Sequence, residues 1–533
     1  MIKDTAQPEQ SKPAEQNKSG SPWFVLGILS IGVILAALDL TVVVAILTSI
    51  MDSLDVTIDN IDQGAWIVSA YLLAYTVTMP FMGRVSDVFG RREVFLGALL
   101  VFVAGSVVGA LATSLPIMIA ARSLQALGGG AMVPVSMAVV GDLFPSNKRG
   151  MALGIIGAAD TAGWVLGPLY GSLMLRYFNW HSIFWINVPL GLISAAIIYF
   201  MLKPALKTSR TSSINFGKLW KNIDIPGFLL LAVSLTCLSL ALGGKDTAAL
   251  SGASLEEITK NPLKEYQIPL LIGAAVALIL FVLTELRIDK PLINIRTFLR
   301  VPYSAANLAN LFIGGALVAA LVGIALFVNS TDRSNSAIDI SFHSALALAP
   351  LTLGMALGAV LGGWLSDRLG YRLATIFGLV LVSGGFLLMN RWDTHWQPPN
   401  DLWNMLPGAS VAGLGFGFVI APVGSAVIDW AEREEIGVAA ALVLILRLVG
   451  MTLGTSFLTT WTLNRYNDLK PKNIDITKID AQALSLPLAQ AVTEVFLGAA
   501  ALAALAIFPA LLLSQRKLSS QEEQDRHEIS HLL

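Results

Sequence analysis

The chain is dominated by apolar runs long enough to cross a lipid bilayer. A membrane-spanning helix needs about 20 such residues, because each residue adds about 1.5 Å to its length. About fourteen runs of this kind lie near residues 23–51, 65–82, 94–113, 116–140, 150–175, 183–202, 226–242, 267–286, 303–328, 342–364, 373–390, 405–428, 437–461 and 491–514. None of them shows the two-residue alternation of a membrane β-strand. The sequence therefore predicts an all-α polytopic membrane protein.

The shortage of charge narrows the class of protein further. Only 13% of the residues are charged and the net charge is −1, whereas soluble domains carry about 25% charged residues. This composition excludes an ordinary soluble protein, a disordered chain and a nucleic-acid partner. Cys237 is the only cysteine, so no intrachain disulfide is possible. No clustered His or Cys spacing suggests a metal or another bound cofactor.

The distribution of lysine and arginine predicts the orientation. If the N-terminus is cytoplasmic, the inner segments hold 23 of the 35 basic residues and the outer loops hold 10. The first outer loop, residues 51–64, has four aspartates and no basic residue. Short cytoplasmic loops are enriched in Lys and Arg. We therefore predict a multi-pass protein of the plasma (inner) membrane with both termini cytoplasmic.

An internal repeat divides the chain. Residues 83–92 and 363–372 both read G-x-x-S-D-x-x-G-x-R. Asp142 and Gly150 recur as Asp429 and Gly437, each 287 positions later. This repeat predicts two six-helix halves, at 23–203 and 303–514, joined by a linker at 204–302 that inserts two further membrane helices. Polar tails at 1–22 and 515–533 complete the predicted organisation.

Four motifs resemble those of one transporter superfamily. Residues 83–92 resemble the loop signature of the major facilitator superfamily, and RSLQALGGG at 122–130 resembles its fourth-helix motif. GAADTAGWVLGPLYG at 157–171 resembles its antiporter motif, and LDLTVVV at 38–44 resembles the first-helix motif of its fourteen-helix drug:proton antiporters. The resemblance implies the major facilitator fold, alternating access and proton antiport, with protons as coupling ions and no other cofactor.

Within that superfamily, a closer likeness is to the mycobacterial triacylglyceride exporters that act with a lipoprotein. It rests on VVV at 42–44, WIV at 66–68, YLL at 71–73, GPLYG at 167–171 and RLVGM at 447–451. The chain departs from these exporters at Thr161, where they place a glutamate. Because such exporters also resemble multidrug pumps, the substrate does not follow from the likeness.

Two groups of small or bend-forming residues are predicted to act in gating. Small residues along 157–171 leave one helix face without bulk, and a proline there bends the helix, so that a partner helix can pack closely and rock. Plain small-residue packing is the alternative. The repeated loops supply tight turns and an acid that can cap a helix or pair with Arg. The predicted gating and hinge residues are Gly83, Asp87, Gly90, Arg91, Gly163, Gly167, Pro168, Gly171 and Asp367.

Four ionisable groups lie deep inside predicted helices, where a charge costs about 2.5–3.5 kcal/mol on insertion scales. By depth they sort into two neutral pairs, Asp39 with Arg122 and Asp160 with Arg447. A carboxylate in a closing cavity can load and release a proton, so we predict that these four residues couple transport to protons. Structural ion pairs are the alternative. We expect Asp39→Asn to abolish coupling and to leave folding intact.

Few other polar groups line the helices, which favours a lipophilic or amphiphilic substrate. Asn307 and Asn310 are candidate substrate contacts, with core packing as the alternative. The sequence leaves three hypotheses: a proton-coupled exporter of lipophilic compounds, a lipid exporter that works with a periplasmic or surface lipoprotein, and an intramembrane lipid-modifying enzyme. The last is disfavoured because no Ser/His or His/Asp motif stands at a membrane face. Glu285, at a helix end, is expected to reach water.

A cytoplasmic latch is predicted between the two halves. It would join the basic residues after the second helix to the acids that precede Gly437, with Asp87 contributing across the interface. Exposed ion pairs contribute roughly 0–1 kcal/mol each, so a set of them biases a two-state equilibrium modestly. The latch residues are Arg84, Arg91, Arg92, Glu432, Glu434 and Glu435. The alternative is that the acids only suit the N-terminus of the following helix and that the arginines only follow the positive-inside rule.

Overall fold

The structure is a computed structural model of the full chain. It describes residues 21–56, 61–64, 66–201, 224–242, 264–334, 337–432, 435–469 and 481–514. Three parts of the prediction lie outside these residues: the predicted tails apart from residues 21 and 22, most of the predicted linker outside its two helices, and Glu434 of the predicted latch. Within them every regular element is a helix, which confirms the predicted all-α fold.

Fourteen long helices carry the described part of the chain. They are α1 (Pro22–Ala45), α2 (Trp66–Phe89), α3 (Arg91–Ala110), α4 (Leu115–Leu143), α5 (Ser146–Tyr177), α6 (Trp180–Met201), α7 (Ile225–Leu242), α8 (Gln267–Glu285), α9 (Val301–Thr331), α10 (Ala337–Leu369), α11 (Tyr371–Met389), α12 (Leu402–Trp430), α13 (Ile436–Leu469) and α14 (Ala481–Leu505). Each corresponds to one of the apolar runs in the sequence.

Length and hydropathy agree with membrane spanning for all of them. Thirteen helices are long and apolar enough on their own, and α5 qualifies as a pair of segments bent by 44° between Trp164 and Leu169. The helices form because each span supplies its own backbone hydrogen bonds, which lipid cannot provide. The protein is therefore a multi-pass membrane protein.

The helices pack as two bundles. In the first, α1 packs along α5, and α4 lies against both α2 and α3. The second repeats this scheme, since α9 packs along α13 and α12 lies against α10 and α11. The inserted helices α7 and α8 pack on each other, and α7 also contacts α2 and α13. The exact limits predicted for the two halves and the linker stay a prediction.

The bundles meet mainly at the end of the molecule that holds the repeated loops, which we call the motif end. There α5 packs against α10 and α2 against α13. The approach is close: a Cβ on Gly83 would lie 2.8 Å from the carbonyl carbon of Gly437, and one on Gly154 would lie 2.9 Å from that of Ala359. By contrast, α1 and α9 make their extensive contacts within their own bundles.

Candidate functional site

The two repeated loops join the bundles through reciprocal hydrogen bonds from helix amides to a loop carboxylate. Gly90 and Gly370 turn the chain between helices with φ of 103° and 86°, values that favour glycine. Just before these turns stand Asp87 and Asp367. Asp87 accepts the Gly437 amide at 2.9 Å, and its other oxygen accepts from Val438 at 3.3 Å.

The second loop makes the equivalent contact in the other direction. Asp367 accepts the amide of Gly150 at 2.9 Å and that of Met151 at 3.0 Å. Asp87 thus caps the first turn of α13, where free amides and the helix dipole favour a carboxylate. Asp367 binds amides in the second turn of α5, also in the opposite bundle. The sequence brought these acids forward as gating residues. That role stays a prediction.

Buried charged and polar side chains form further contacts next to these hydrogen bonds. Arg91 pairs with Asp87, and its Nε donates to Asp142 at 3.1 Å. In the second bundle, at the equivalent place, Tyr371 donates to Asp429 at 2.6 Å. Asp429 also pairs with Arg149, which reaches it from the first bundle. Sequence reasoning missed Arg149 and Asp429 as functional candidates, although the repeat that relates Asp429 to Asp142 was a usable signal.

Two charged residues of the predicted latch, Arg92 and Glu432, bind partners outside the latch. Arg92 donates to the Tyr199 carbonyl oxygen at 2.5 Å, within its own bundle. Glu432 pairs at 3.0 Å with Arg300, from the segment that precedes α9. Arg84 does act electrostatically on Glu435, whose pKa is raised by burial and then by Glu432. Among the described residues, the cross-bundle contacts at this end are therefore the carboxylate-to-amide bonds and the buried Arg149–Asp429 pair rather than exposed Arg–Glu pairs.

Asp39 and Arg122 form a fully buried ion pair in the first bundle. Arg122 Nη1 donates to Asp39 Oδ2 at 2.5 Å, and Nη2 donates to the Asp39 carbonyl oxygen at 3.1 Å. Both residues are 0% exposed. The pairing predicted from depth is present. Whether the pair carries protons stays a prediction.

Neutral side chains complete this pair. The second carboxylate oxygen of Asp39 accepts from Asn187 at 3.0 Å and from Gln125 at 3.2 Å. Gln125 also donates to Ser106 at 2.8 Å, and the Arg122 guanidinium stacks over the Tyr71 ring at 4.0 Å. The sequence did not single out these partners, because an amide or hydroxyl in an apolar run gives no sign of which helix it faces. We call this group of six residues the Asp39 cluster.

Asp160 and Arg447 are arranged more loosely. The charge of Asp160 acts on Arg447, but no direct ion pair joins them within the described residues. The Trp164 side chain hydrogen-bonds to Asp160, and Arg447 Nε donates to Asn310 Oδ1 at 3.4 Å. The two charged groups thus interact electrostatically, but each is hydrogen-bonded to a neutral side chain rather than to the other. We call this arrangement the Asp160–Arg447 neighbourhood.

The two asparagines proposed as substrate contacts are both buried in α9. Asn310 donates to the Val443 carbonyl oxygen and so bridges α9 to α13 beside Arg447. Asn307 donates to the Tyr303 carbonyl oxygen at 3.0 Å, and its own side-chain oxygen is buried without a hydrogen-bond partner. Their geometry favours positioning of α9 and Arg447 over direct substrate contact.

The antiporter-type segment of α5 packs against α1. A Cβ on Gly163 would lie 2.9 Å from the Leu38 amide nitrogen, and one on Gly167 would lie 2.9 Å from the Val42 amide nitrogen. A Cβ on Gly171 would lie 3.2 Å from the Val42 carbonyl oxygen. The side chain of Pro168 lies outside the described residues. Close packing on a partner helix is therefore present, and rocking of α5 on α1 stays a prediction.

Comparison with known proteins agrees with this architecture. The Major Facilitator Superfamily matches residues 29–334 and again residues 308–532. The triacylglyceride transporter of Mycolicibacterium hassiacum is 36% identical over 447 residues, covering 82% of this chain and 78% of that protein. The triacylglyceride transporter of Mycobacterium tuberculosis is 34% identical over 453 residues, covering 83% of this chain and 82% of that protein.

A solved structure supports the fold independently. The human organic anion transporter MFSD10 (TETRAN) superposes with a TM-score of 0.60 at 17% identity, covering 92% of this chain and 100% of that one. At this identity the likeness concerns the fold alone. The resemblance predicted from the motifs is confirmed by the sequence matches. The chain belongs to the Major Facilitator Superfamily.

Proposed function

We propose that the protein exports a neutral or weakly amphiphilic lipid, of triacylglyceride type, across the plasma membrane by alternating access. The observation that carries the mechanism is the distribution of contacts between the bundles. They converge at the motif end through the carboxylate contacts to Gly150 and Gly437, while α1 and α9 pack mainly within their own bundles. This is the arrangement expected of a transporter closed at one end, with the other end free to admit or release substrate.

The substrate class is supported by the relatives. The similar proteins from M. hassiacum and M. tuberculosis are named triacylglyceride transporters. These names favour the lipid-export hypothesis over drug efflux, which was the first of the sequence-based hypotheses. A lipid-modifying enzyme is the least supported of the three, because both the family and the named relatives are transporters.

Proton coupling is the proposed source of energy. In the Asp39 cluster and in the Asp160–Arg447 neighbourhood, a carboxylate lies near an arginine inside the membrane-spanning helices. Opening and closing the path between the bundles would change the desolvation of Asp160, which is not locked in a direct pair, more than that of Asp39. We therefore assign proton loading and release to Asp160, with Arg447 tuning it, and a supporting role to Asp39.

The remaining features of the proposal concern sidedness and partners. The positive-inside distribution favours cytoplasmic termini and a cytoplasmic motif end. A triacylglyceride cannot leave the bilayer for water unaided, so an apolar carrier on the outer side, such as a periplasmic or surface lipoprotein, is the partner that this chemistry requires.

Transport in proteoliposomes tests the proposal. Purified protein is reconstituted with a fluorescent triacylglyceride or with a cationic dye, a pH gradient is imposed, and a lipid-binding protein outside serves as acceptor. We expect gradient-dependent release of the triacylglyceride and no gradient-dependent movement of the dye. Dye movement alone would favour drug efflux, and a chemically altered lipid would favour the enzyme.

A further inference from the structure

Two buried acids meet where the inserted helices α7 and α8 come together. Asp224 precedes α7 and is 5% exposed, and Glu285 ends α8 and is 3% exposed. Asp224 Oδ1 accepts the Gly227 amide at 2.8 Å, and Glu285 Oε2 accepts the Ile293 amide at 3.2 Å. The other oxygen of each, Asp224 Oδ2 and Glu285 Oε1, is buried without a hydrogen-bond partner. The expectation that Glu285 reaches water is therefore wrong.

The two unpartnered oxygens face each other. A Cβ on Gly227 would collide with both Asp224 Oδ2 and Glu285 Oε1, so the two atoms lie on either side of one small space. The carboxyl groups are within hydrogen-bonding reach of each other. An ionised carboxylate only accepts hydrogen bonds, so two of them would repel here, whereas a protonated carboxyl donates to its neighbour.

Among the residues that the structure describes, no lysine or arginine is paired with either acid. Helices α7 and α8 contain no lysine or arginine, and no described donor bonds to the two facing oxygens. On α2, which packs against α7, Arg84 acts instead on Asp87 and Glu435. The charged groups that the structure describes on the neighbouring segments include Arg84 and Asp87 on α2, Glu435 before α13, and Arg287, Asp289, Lys290, Arg296 and Arg300 after α8.

We propose that Asp224 and Glu285 share one proton and form a proton-binding site in the inserted helix pair, separate from the charged groups of the two bundles. In the protonated pair, the O–H of one carboxyl donates to the facing oxygen of the other. Loss of that proton to water leaves two carboxylates, whose repulsion separates the start of α7 from the end of α8.

The site is connected to the motif end through the segment after α8. Glu285 holds the amide of Ile293, and Asn294 interacts with Glu435. Arg300 then donates to the Trp430 carbonyl oxygen at 2.9 Å and to Glu432 at 3.0 Å. Deprotonation of the acid pair therefore loosens a segment that contacts the turn between α12 and α13.

Infrared difference spectroscopy of the full-length protein in lipid nanodiscs tests the site without relying on transport. The C=O stretch of a protonated carboxyl is distinct from carboxylate bands. Raising the pH from about 6 to about 9 should remove such a band from the wild type. Asp224→Asn and Glu285→Gln should each lose that band, whereas Asp289→Asn, an exposed acid nearby, should keep it.

Hydrogen–deuterium exchange gives a second readout. Peptides covering residues 286–294 should exchange at least several-fold faster at the higher pH after correction for intrinsic exchange, and the double variant Asp224→Asn/Glu285→Gln should remove this excess. A wild-type band that persists in both single variants would overturn the proposal. So would a band that Na⁺ or K⁺ removes at constant pH, since that outcome identifies a cation site. Size-exclusion elution confirms that each variant is folded.

Discussion

The Asp87 carboxylate accepts the backbone amide hydrogen of Gly437 at 2.9 Å, although the two residues belong to opposite bundles. Asp367 and Gly150 form the reciprocal contact at the same distance of 2.9 Å. Both bonds exist only while the bundles meet at the motif end. A loop acid of each repeat is therefore bonded to helix amides of the other repeat, in the first turn of α13 and in the second turn of α5, which links these contacts to the conformational equilibrium.

Asp87→Asn is expected to open the motif end more often. Asparagine keeps one acceptor oxygen but loses the charge that favours this position at a helix N-terminus. Loss of that charge costs about 0.3–1 kcal/mol, which shifts a two-state population by roughly two- to fivefold. A cysteine at Ala359, which faces Gly157 across the interface, should be labelled faster by about the same factor once Cys237 is replaced by serine.

The matched control is Asp52→Asn, an exposed acid in the short helix Leu47–Ser53, far along the chain from either repeated loop. It should leave the labelling rate unchanged. Asp367→Asn should act like Asp87→Asn, and the double variant should open further than either. Labelling at the wild-type rate in both single variants would show that the Asp87 and Asp367 contacts do not bias the equilibrium between the open and closed motif end.

The burial of the Asp39 cluster changes the expectation for Asp39→Asn. Breaking a buried ion pair by removing one partner costs about 3–5 kcal/mol, because the remaining charge stays uncompensated. The variant should therefore lower the thermal unfolding midpoint markedly, contrary to the sequence-based expectation of intact folding. The double variant Asp39→Asn/Arg122→Gln removes both charges and should recover most of the stability.

Transport measurements on these variants distinguish a structural role of the Asp39–Arg122 pair from a role in proton coupling. If Asp39 takes part in proton transfer, the stable double variant should still fail to use a pH gradient. If it serves only to hold α1 against α4 and α6, gradient-driven transport should return together with stability. A single variant as stable as the wild type would contradict the cost assigned to the buried charge.

The sequence sufficed for the architecture because apolar length, positive charge in loops and the repeat each report on whole helices. It also placed Asp39 and Arg122 together, since depth alone sorts charges into layers. It could not find Asn187, Ser106 or Gln125 as partners of that pair. Which face a side chain takes depends on how neighbouring helices rotate, and apolar membrane helices leave little periodic signal to fix that rotation.

The same lack of information about side-chain partners explains why the structure differs from the sequence-based predictions at the latch and at Glu285. The latch predicts Arg–Glu pairs across the bundles, but Arg91 is paired with Asp87 and Asp142 and Glu432 with Arg300. Charge alone does not specify a partner when several opposite charges lie within reach. Glu285 was expected in water because it ends a helix, yet the segment after α8 folds back over it.

Asn310→Leu should impair transport about as strongly as Arg447→Gln. Asn310 holds Arg447 Nε and the Val443 carbonyl oxygen, so leucine removes the support that positions the guanidinium near Asp160. Because Asp160 and Arg447 are not joined directly, the exchange Asp160→Arg/Arg447→Asp should restore only a small part of the activity. Gradient-driven lipid release is the measurement, and Asn307→Leu is the matched control on the same helix.

The pH dependence of transport distinguishes two possible roles of Asn310, substrate contact and positioning of Arg447. If Asn310 acts by contacting substrate, its loss should raise the lipid concentration needed for half-maximal transport and leave the pH dependence unchanged. If it positions Arg447, its loss should shift the pH profile instead. A full rescue by the charge exchange would show that Asp160 and Arg447 pair directly during the transport cycle.

Glu435 makes the stability of the motif end depend on pH. Burial raises its pKa above the ordinary value, and Glu432 adds to the increase, while Arg84 and a hydrogen bond to Asn294 oppose it. The folded state therefore binds the proton more tightly than the unfolded state. The resulting contribution to the free energy of unfolding is complete below the pKa that Glu435 has in the unfolded state. It is lost as the pH rises through the pKa that Glu435 has in the folded state.

Glu435→Gln should remove this dependence, because glutamine is neutral at every pH and keeps an oxygen for Asn294. Unfolding midpoints measured between about pH 4 and about pH 7 should fall with rising pH in the wild type and should be flatter in the variant. At neutral pH the variant should be the more stable of the two. Glu432→Gln, which removes an exposed acid paired with Arg300, should leave much of the slope in place, since burial rather than Glu432 is the main cause of the shift. Equal slopes in the wild type and Glu435→Gln would mean that another group titrates over this range.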